Sequence, residues 1–327
     1  MKVLVTGGTG FAGYHLCRRL VEDGHRVVAL ARQPAAAGDL AKTGVEIAGG
    51  DLSDPESLKR ALAGVEMVYH LAAVFRRGDL SAARMHQINA QGTWNLLDAA
   101  HRSGTVRRFV HCSTVGVHGD TGRRPADEEA PLRPGDAYQR SKLEGELAAR
   151  AYGQDGRLAV VIFRPGGIYG PRDRRFLKLF RAISRGRFVM LGSGEVLYQM
   201  IYIDDLVDGI LLCGTRDEAL GRTYILTGER PVTLNHLIAV IARVLDVSVS
   251  SRHWPVMPAY LAGMLCELIC RPLGVDPPVH RRRVDFFRKS RSFTIDRAEK
   301  ELGFRPRTDL ETGIRRTVAW YRKEGYL

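Results

Sequence analysis

Lys2-Val3-Leu4-Val5-Thr6-Gly7-Gly8-Thr9-Gly10-Phe11-Ala12-Gly13 opens the chain and decides its fold. Residues 2–6 read as a buried strand and residues 11–22 as a helix that ends at Gly24, with the glycines between them forming a tight turn. A glycine-rich turn between strand and helix is a phosphate cradle. Without side chains the backbone can approach a pyrophosphate, and the helix start offers unpaired N–H groups and a positive dipole. Gly7, Gly10 and Gly13 form this cradle, with Phe11 and Ala12 in the first helical turn beside the same ligand.

Strand and helix signals alternate onward from this unit. Residues 26–31 form a second strand, and Ser53-Asp54-Pro55-Glu56 starts a helix, with Ser53 and Glu56 at capping-box spacing. Residues 66–71 form a strand, 80–103 a long helix, 107–112 a strand, 138–152 a helix and 158–163 another buried strand. Such alternation implies parallel pairing with crossover helices, an α/β doubly wound sheet of the Rossmann type. Beyond Arg164-Pro165-Gly166 the texture becomes mixed, with separate helices around 176–184, 204–213, 233–245, 259–270 and 310–323. The expected division is a dinucleotide-binding domain over 1–165 and a smaller mixed α/β substrate lobe over 166–327. Some strands of the second part are expected to return to the first sheet.

Composition is that of a globular protein with a substantial core: 327 residues, 45% hydrophobic and 26% charged. The first residues read as a core strand and not as a secretory signal. Cys17, Cys112, Cys213, Cys266 and Cys270 are scattered without a CxxC pair, which points to reduced thiols in the cytoplasm and to no metal site. The net charge of +13 is spread along the chain, with one cluster at Arg281-Arg282-Arg283, Arg288, Lys289 and Arg291. No nucleic-acid motif accompanies it, so the cluster reads first as a solvated face, then as a contact for an anionic substrate or lipid surface. The apolar stretch 258–270 is shorter than the ~20 residues a membrane span needs, which leaves a core helix, or a flap that contacts an interface or an apolar substrate.

Two further segments carry chemistry. Tyr138 and Lys142 lie four apart on a helix and face the same way. An ammonium beside a phenol favours the phenolate and lowers its pKa from about 10 toward working pH. Tyr138 is thereby a general acid/base and Lys142 its tuner, with a second role at the cofactor ribose. Ser113-Thr114, at the end of the preceding strand, supplies hydroxyls for the substrate oxygen. At the end of the second strand, where a carboxylate would bind the 2′-hydroxyl of NAD, Arg32 stands ready for a 2′-phosphate, so NADP(H) is favoured over NAD(H). Asp51, after Gly49-Gly50, is placed to accept from the adenine amine. There is no GxSxG elbow, HExxH pair or Walker lysine, and the ten histidines lack ligand spacing.

With these residues in order, the chain resembles the extended short-chain dehydrogenase/reductases, the NAD-dependent epimerase/dehydratase family, over essentially its whole length. Further carriers are Gly50-Asp51-Leu52, His70-Leu71-Ala72-Ala73, Asn89 with Gly92-Thr93, Arg164-Pro165-Gly166, Tyr202-Ile203-Asp204-Asp205 and Glu301-Leu302-Gly303-Phe304. The resemblance implies a catalytic set of Thr114, Tyr138 and Lys142. It also implies a cofactor site including Leu52, Leu71, Ala72, Ala73 and Pro165, and Asn89 supporting the adjacent helix. A homodimer through helices around 89–102 and 138–152 is a further implication.

Val115-Gly116 follows Thr114 where dehydratases tend to carry Asp-Glu, and Tyr198-Gln199 stands where nucleotide-sugar epimerases usually carry Arg-Asp. These departures count against dehydration and against a nucleotide-sugar substrate, while the apolar segment 258–270 and the later Arg-rich stretch with Phe286-Phe287 look more like the 3β-hydroxysteroid dehydrogenase and dihydroflavonol reductase side of the family. Together these likenesses imply hydride transfer between a secondary alcohol and a ketone on an apolar or cyclic small molecule, with Ser113, Tyr198 and Arg283 as substrate contacts. The alternatives are a nucleotide-sugar 4-epimerase and, more remotely, an NADP-sensing regulator without turnover.

Overall fold

Seven strands form one parallel sheet in the computed structural model, which describes residues 1–75, 81–249, 252–270 and 284–327. They are β1 (Lys2–Thr6), β2 (Arg26–Ala31), β3 (Glu46–Gly49), β4 (Met67–His70), β5 (Arg108–Cys112), β6 (Val160–Pro165) and β7 (Thr223–Leu226). Their order is 7-6-5-4-1-2-3, and every neighbouring pair is parallel. The chain winds from β1 outward to β3, then restarts on the other side of β1 with β4. The loops leaving β1 and β4 therefore diverge and open a crevice at the carboxyl edge of the sheet.

Alternate residues of β1 feed two separate cores. Val3 and Val5 pack with Leu16, Cys17 and Leu20 of α1 (Phe11–Glu22), while Leu4 meets Val28, Val68, Leu96 and Phe109 on the other face. Both faces are covered, which is why these strands read as unbroken apolar runs.

Two local expectations are corrected. The cap of α2 (Pro55–Ala61) is Asp54, whose carboxylate accepts the Glu56 N–H, and not Ser53. This puts Pro55 in the first helical position, the one it favours, and turns Ser53 back onto Asp51. The long helix expected over 80–103 is interrupted: α3 (Ala82–His86) runs into a π-turn, Gln87–Gln91, before α4 (Gly92–Ser103). The interruption centres on Asn89, whose amide is held by the loop after β4 and not by its own helix. The third strand, β3, is only four residues with an exposed Glu46, and so gives little pattern of its own.

The next helix, α5 (Ala137–Gln154), starts at Asp136, which accepts the Gln139 N–H at 2.8 Å. Past β6 come α6 (Ile203–Thr215), α7 (Leu234–Leu245), α8 (Val256–Cys270), α9 (Asp296–Leu302) and α10 (Leu310–Lys323). Strand β7 lies between α6 and α7 and pairs Leu226 with Pro165, so the main sheet takes its last strand from the second half of the chain. Short strand pairs complete this half: Gly167–Tyr169 with Met200–Tyr202, Leu197–Tyr198 with Val232–Thr233, and Met190–Leu191 with His253–Trp254. Helix α8 leaves Leu261, Leu265, Leu268 and Ile269 exposed while burying Glu267. No helix among the described residues is long and apolar enough to cross a membrane.

Asp205, near the start of α6, pins the chain segment before α10. Its two carboxylate oxygens accept the N–H groups of Arg307 and Thr308, each at 3.0 Å, and the residue is 5% exposed. Asp205→Ala therefore leaves two backbone donors without their acceptor and is expected to cost about 2 kcal/mol in denaturant unfolding. Asp204→Ala, at the exposed neighbour, should change the midpoint little.

Candidate active site

The turn after β1 is closed by the Gly10 N–H donating to the Gly7 carbonyl at 2.9 Å. Gly7 has φ +76°, and a Cβ there would lie 2.7 Å from the Ala72 backbone N. A Cβ on Gly13 would lie 2.1 Å from the Gly7 carbonyl oxygen. Only glycine fits these positions, because the β4 loop and the first turn of α1 close directly onto the turn. Helix α1 has no side-chain cap and no acidic residue in its first turn, so its free N–H groups keep their positive field for a ligand. The cradle thus fits the pyrophosphate of a dinucleotide.

A cleft of about 210 Å³ continues from the cradle, lined by Thr6, Gly7, Thr9, Gly10, Leu30, Ala31, Arg32, Gly50, Asp51, Leu52, Ser53, Leu71, Ala72, Ala73, Val74, Arg84, Gln87 and Ile88. Of the expected cofactor residues, Gly7, Gly10, Arg32, Asp51, Leu52, Leu71, Ala72 and Ala73 share this cleft. Phe11, Ala12, Gly13, Lys142 and Pro165 lie outside its lining. Burial pushes the Asp51 carboxyl up, but the hydroxyl and N–H of Ser53, with Arg32 and Arg84 nearby, outweigh it and hold the group below the usual range. Arg84 is a lining residue that sequence reasoning missed. It falls in what reads as the middle of one exposed helix, and its only signal was its position a turn ahead of Asn89.

The three expected catalytic residues stand at the carboxyl ends of β5 and the start of α5. Thr114 Oγ1 accepts the Gly116 N–H at 3.1 Å and caps the short 3₁₀ turn Val115–His118. Its hydroxyl hydrogen makes no bond among the described residues, so Thr114 remains a donor. Gly116 packs on Gln139, where a Cβ would stand 3.3 Å from Cγ; this brings the Thr114 turn against the first turn of α5, which carries Tyr138. Tyr138 is half-buried, its ring edge-on to Phe75 with centroids 4.9 Å apart. Lys142 is 1% exposed and its Nζ donates to the Cys112 carbonyl at 2.5 Å. Burial lowers the Lys142 ammonium below its ordinary value, with nearby Glu146 pulling it back up.

Two buried networks hold this set. In one, Arg164 spans both oxygens of Glu146, with Nε–Oε2 at 3.1 Å and Nη2–Oε1 at 2.5 Å. Arg164 Nη1 reaches the Glu128 carbonyl and His118. Glu146 would be pushed up by burial, but Arg164 first, then Ser113 and Arg150, hold its carboxyl low. In the other network, Thr93 donates to the Asn89 carbonyl, so its oxygen accepts from His70 Nε2 at 2.8 Å. That leaves His70 Nδ1 to accept from Thr6 Oγ1 at 2.6 Å, while Thr6 accepts the Ala72 N–H. His70 is therefore the neutral Nε2–H tautomer, and burial, with Lys142, holds its pKa down to about 3. Asn89 completes the frame by bonding Val74 on both its N–H and its carbonyl and by donating to Ser141 Oγ.

Among the expected substrate residues, Ser113 is displaced from that role. Its hydroxyl donates to Glu146 at 2.5 Å and the residue is 2% exposed, so it serves the buried network instead of facing a ligand. Tyr198 sits in the second half, its ring against Phe286 at 5.2 Å and beneath the Arg291 guanidinium at 5.6 Å. Arg283, with Arg281 and Arg282, lies outside the described residues. Among the described residues, no group of three or more His, Cys, Asp or Glu is arranged to hold a metal ion.

Residues 3–226 match the model of the NAD dependent epimerase/dehydratase family. The chain is 31% identical to the 4-hydroxy-2-methyl-3-oxo-4-farnesyl-3,4-dihydroquinoline-1-oxide ketoreductase of Stigmatella aurantiaca, over 96% of this chain and 95% of that protein. It is also 31% identical to the 2-alkyl-3-oxoalkanoate reductase of Stenotrophomonas maltophilia, over 98% and 99% of the two chains. The structure superposes on a dTDP-glucose 4,6-dehydratase from Streptomyces venezuelae, solved with NAD bound, with TM-score 0.81, 29% identity and complete coverage of both chains. These matches and the cradle agree: the chain belongs to the NAD-dependent epimerase/dehydratase family and is an extended short-chain dehydrogenase/reductase.

Proposed function

We propose that the protein is an NADP(H)-preferring oxidoreductase that interconverts a secondary alcohol and a ketone on an apolar or cyclic small molecule. The observation that carries this reading is Thr114, a hydroxyl donor with its hydrogen unspent, on a turn packed against the helix of Tyr138 and Lys142. Arg32, exposed in the cleft without an ion pair among the described residues, supports NADP(H) over NAD(H). Tyr198, Phe286, Phe287 and Phe188 form an aromatic run that supports an apolar substrate, as do the reductases matched by identity.

When bound, the dinucleotide supplies or accepts the hydride. Gly7, Gly10 and Gly13 hold its pyrophosphate, Arg32 and Asp51 its adenosine end, and Leu71, Ala72 and Pro165 flank the nicotinamide end. In reduction, Thr114 Oγ1 donates a hydrogen bond to the ketone oxygen while Tyr138 Oη delivers the proton to it. In oxidation the same proton returns to Tyr138. Lys142, dry and cationic on the same helix face, favours the phenolate form of Tyr138 in both directions. Asn89 fixes the β4 loop to α5, keeping the nicotinamide-side wall and Tyr138 in register.

The exposed Trp94 on α4 and Leu147 on α5 support pairing of two chains through these helices, and the exposed apolar face of α8 supports an interfacial contact.

One observation favours a second reading. Arg291 lies over Tyr198 with no ion pair among the described residues, an available grip for a diphosphate, as a nucleotide-sugar 4-epimerase requires. Tightly held NAD in the purified protein, with no net absorbance change during turnover, would select the epimerase. Net consumption of NADPH with a ketone selects the reductase.

Tyr138→Phe should lower kcat by about 10³-fold while NADPH binding is retained; turnover near wild type would overturn the assignment of Tyr138. Lys142→Met should move the rising limb of the pH profile for alcohol oxidation to higher pH, because the phenolate base loses its neighbouring cation. A limb that stays in place would remove Lys142 from its tuning role.

A further inference from the structure

We propose that Arg84 is the second arm of a two-arginine clamp on the 2′-phosphate of the cofactor, with Arg32 as the first arm. The inference rests on the NADP(H) reading above and extends it to a residue on a different element. Arg32 follows β2, Arg84 belongs to α3, and both line the cleft that continues from the glycine cradle. Asp51 lies between their influences, since both guanidiniums act on its carboxyl.

Neither guanidinium of the pair has an ion-pair partner among the described residues, in contrast to Arg18 with Glu22, Arg19 with Asp23 and Asp208, and Arg26 with Glu46. Arg32 makes no hydrogen bond or ion pair among the described residues. The Arg84 side chain makes one hydrogen bond, from Nη1 to the neutral Gln87 amide oxygen at 2.5 Å, which leaves most of its five N–H donors unused. Among the described residues lining the cleft the one carboxylate is Asp51, which has one oxygen tied to the N–H and hydroxyl of Ser53. Two guanidiniums against one carboxylate leave this end of the cleft positive, with spare planar donors that suit a phosphate. The pyrophosphate is met at the other end by the glycine turn and the start of α1. The anion this second positive end fits is therefore the one beside the adenine ribose.

The test is binding to the purified full-length protein, titrated with NADPH, NADH, adenosine 2′,5′-bisphosphate and 5′-AMP. Wild type, Arg32→Gln, Arg84→Gln and Arg84→Lys are compared. Arg84→Gln should weaken NADPH and the bisphosphate by about tenfold and NADH and 5′-AMP by no more than about twofold. Arg84→Lys should recover part of the loss and steepen no interaction with NADH. Equal weakening of all four ligands would mean that Arg84 only stacks on adenine, and no weakening would mean that it binds nothing; either overturns the clamp. A wild type preferring NADPH, with the preference lost in Arg32→Gln but kept in Arg84→Gln, overturns the clamp while the cofactor reading stands. A wild type that binds NADH as tightly as NADPH overturns the cofactor reading and the clamp with it.

Discussion

Glu146 and Arg164 face each other with neither side chain exposed, and the site is arranged around that pair. Charges withdrawn from water persist only where attraction and further hydrogen bonds offset their desolvation, and here nearly every polar atom is used. Arg164 engages both carboxylate oxygens, the Glu128 carbonyl and His118, while Glu146 also takes Ser113 and Arg150. Glu128 extends the reach to the edge strand, its Oε1 accepting the Ile225 N–H at 2.8 Å. Ser113 precedes Thr114, Glu146 follows Lys142 by one turn, and Arg164 precedes Pro165. One ion pair therefore holds β5, α5, β6 and β7 at a common point, beside the segments that carry Thr114, Lys142 and Pro165. Removing either partner strands the other charge in a dry site, at a cost of about 3–5 kcal/mol.

The other network complements this one with neutral groups. His70 links Thr6 below the glycine turn to Thr93 and Asn89 at the π-turn, and Asn89 reaches across to Ser141 on α5. Lys142 lies between the two networks. Burial first, and then the Lys142 charge, holds both His70 and His111 well below the ordinary histidine range. Burial and the Lys142 charge both disfavour protonating these rings, so His70 and His111 serve as neutral supports. His111 takes this furthest: both its ring nitrogens are buried without a hydrogen-bond partner among the described residues, its ring centroid 5.3 Å from that of His70.

What was legible in the sequence follows from how local each signal is. The bounds of β1, α1 and β2 agree with the reading to the residue, because apolar runs, Gly24 and the glycine turn are all short-range devices. The cap of α2 was misread because Ser53 and Asp54 both satisfy capping patterns, and only the position of Pro55 separates them. The π-turn was invisible since its cause is Asn89 binding Val74, a residue on another element. Strand β7 was not foreseen by position, as it exists through its register with β6 and the Glu128 bond to Ile225. Ser113 and Arg84 were assigned by adjacency or passed over, and their placement depends on Glu146 and on the wall of a cleft built from four separate loops.

The same contrast separates the two halves of the chain. The first half is built from units whose neighbours in sequence are neighbours in space, so the cradle, Arg32, Thr114 and Tyr138 appear there in order. The second half is joined by strand pairs of two or three residues and by single side chains. Asp205 pins the approach to α10, and Gln199 donates to the Gly228 carbonyl while accepting the Phe293 N–H. Gln199 is the more instructive case, because it occupies the stretch where an acidic residue would accompany a phosphate-gripping arginine. Its amide both donates and accepts, which a carboxylate cannot do, and it is 3% exposed. An Asp at this position would leave the Gly228 carbonyl with only the Thr227 hydroxyl, at 3.1 Å, and would bury a charge. The Tyr198-Gln199 pair is thus part of how the second half is stitched together, and its aromatic ring, turned toward Phe286, is a structural consequence of the same choice.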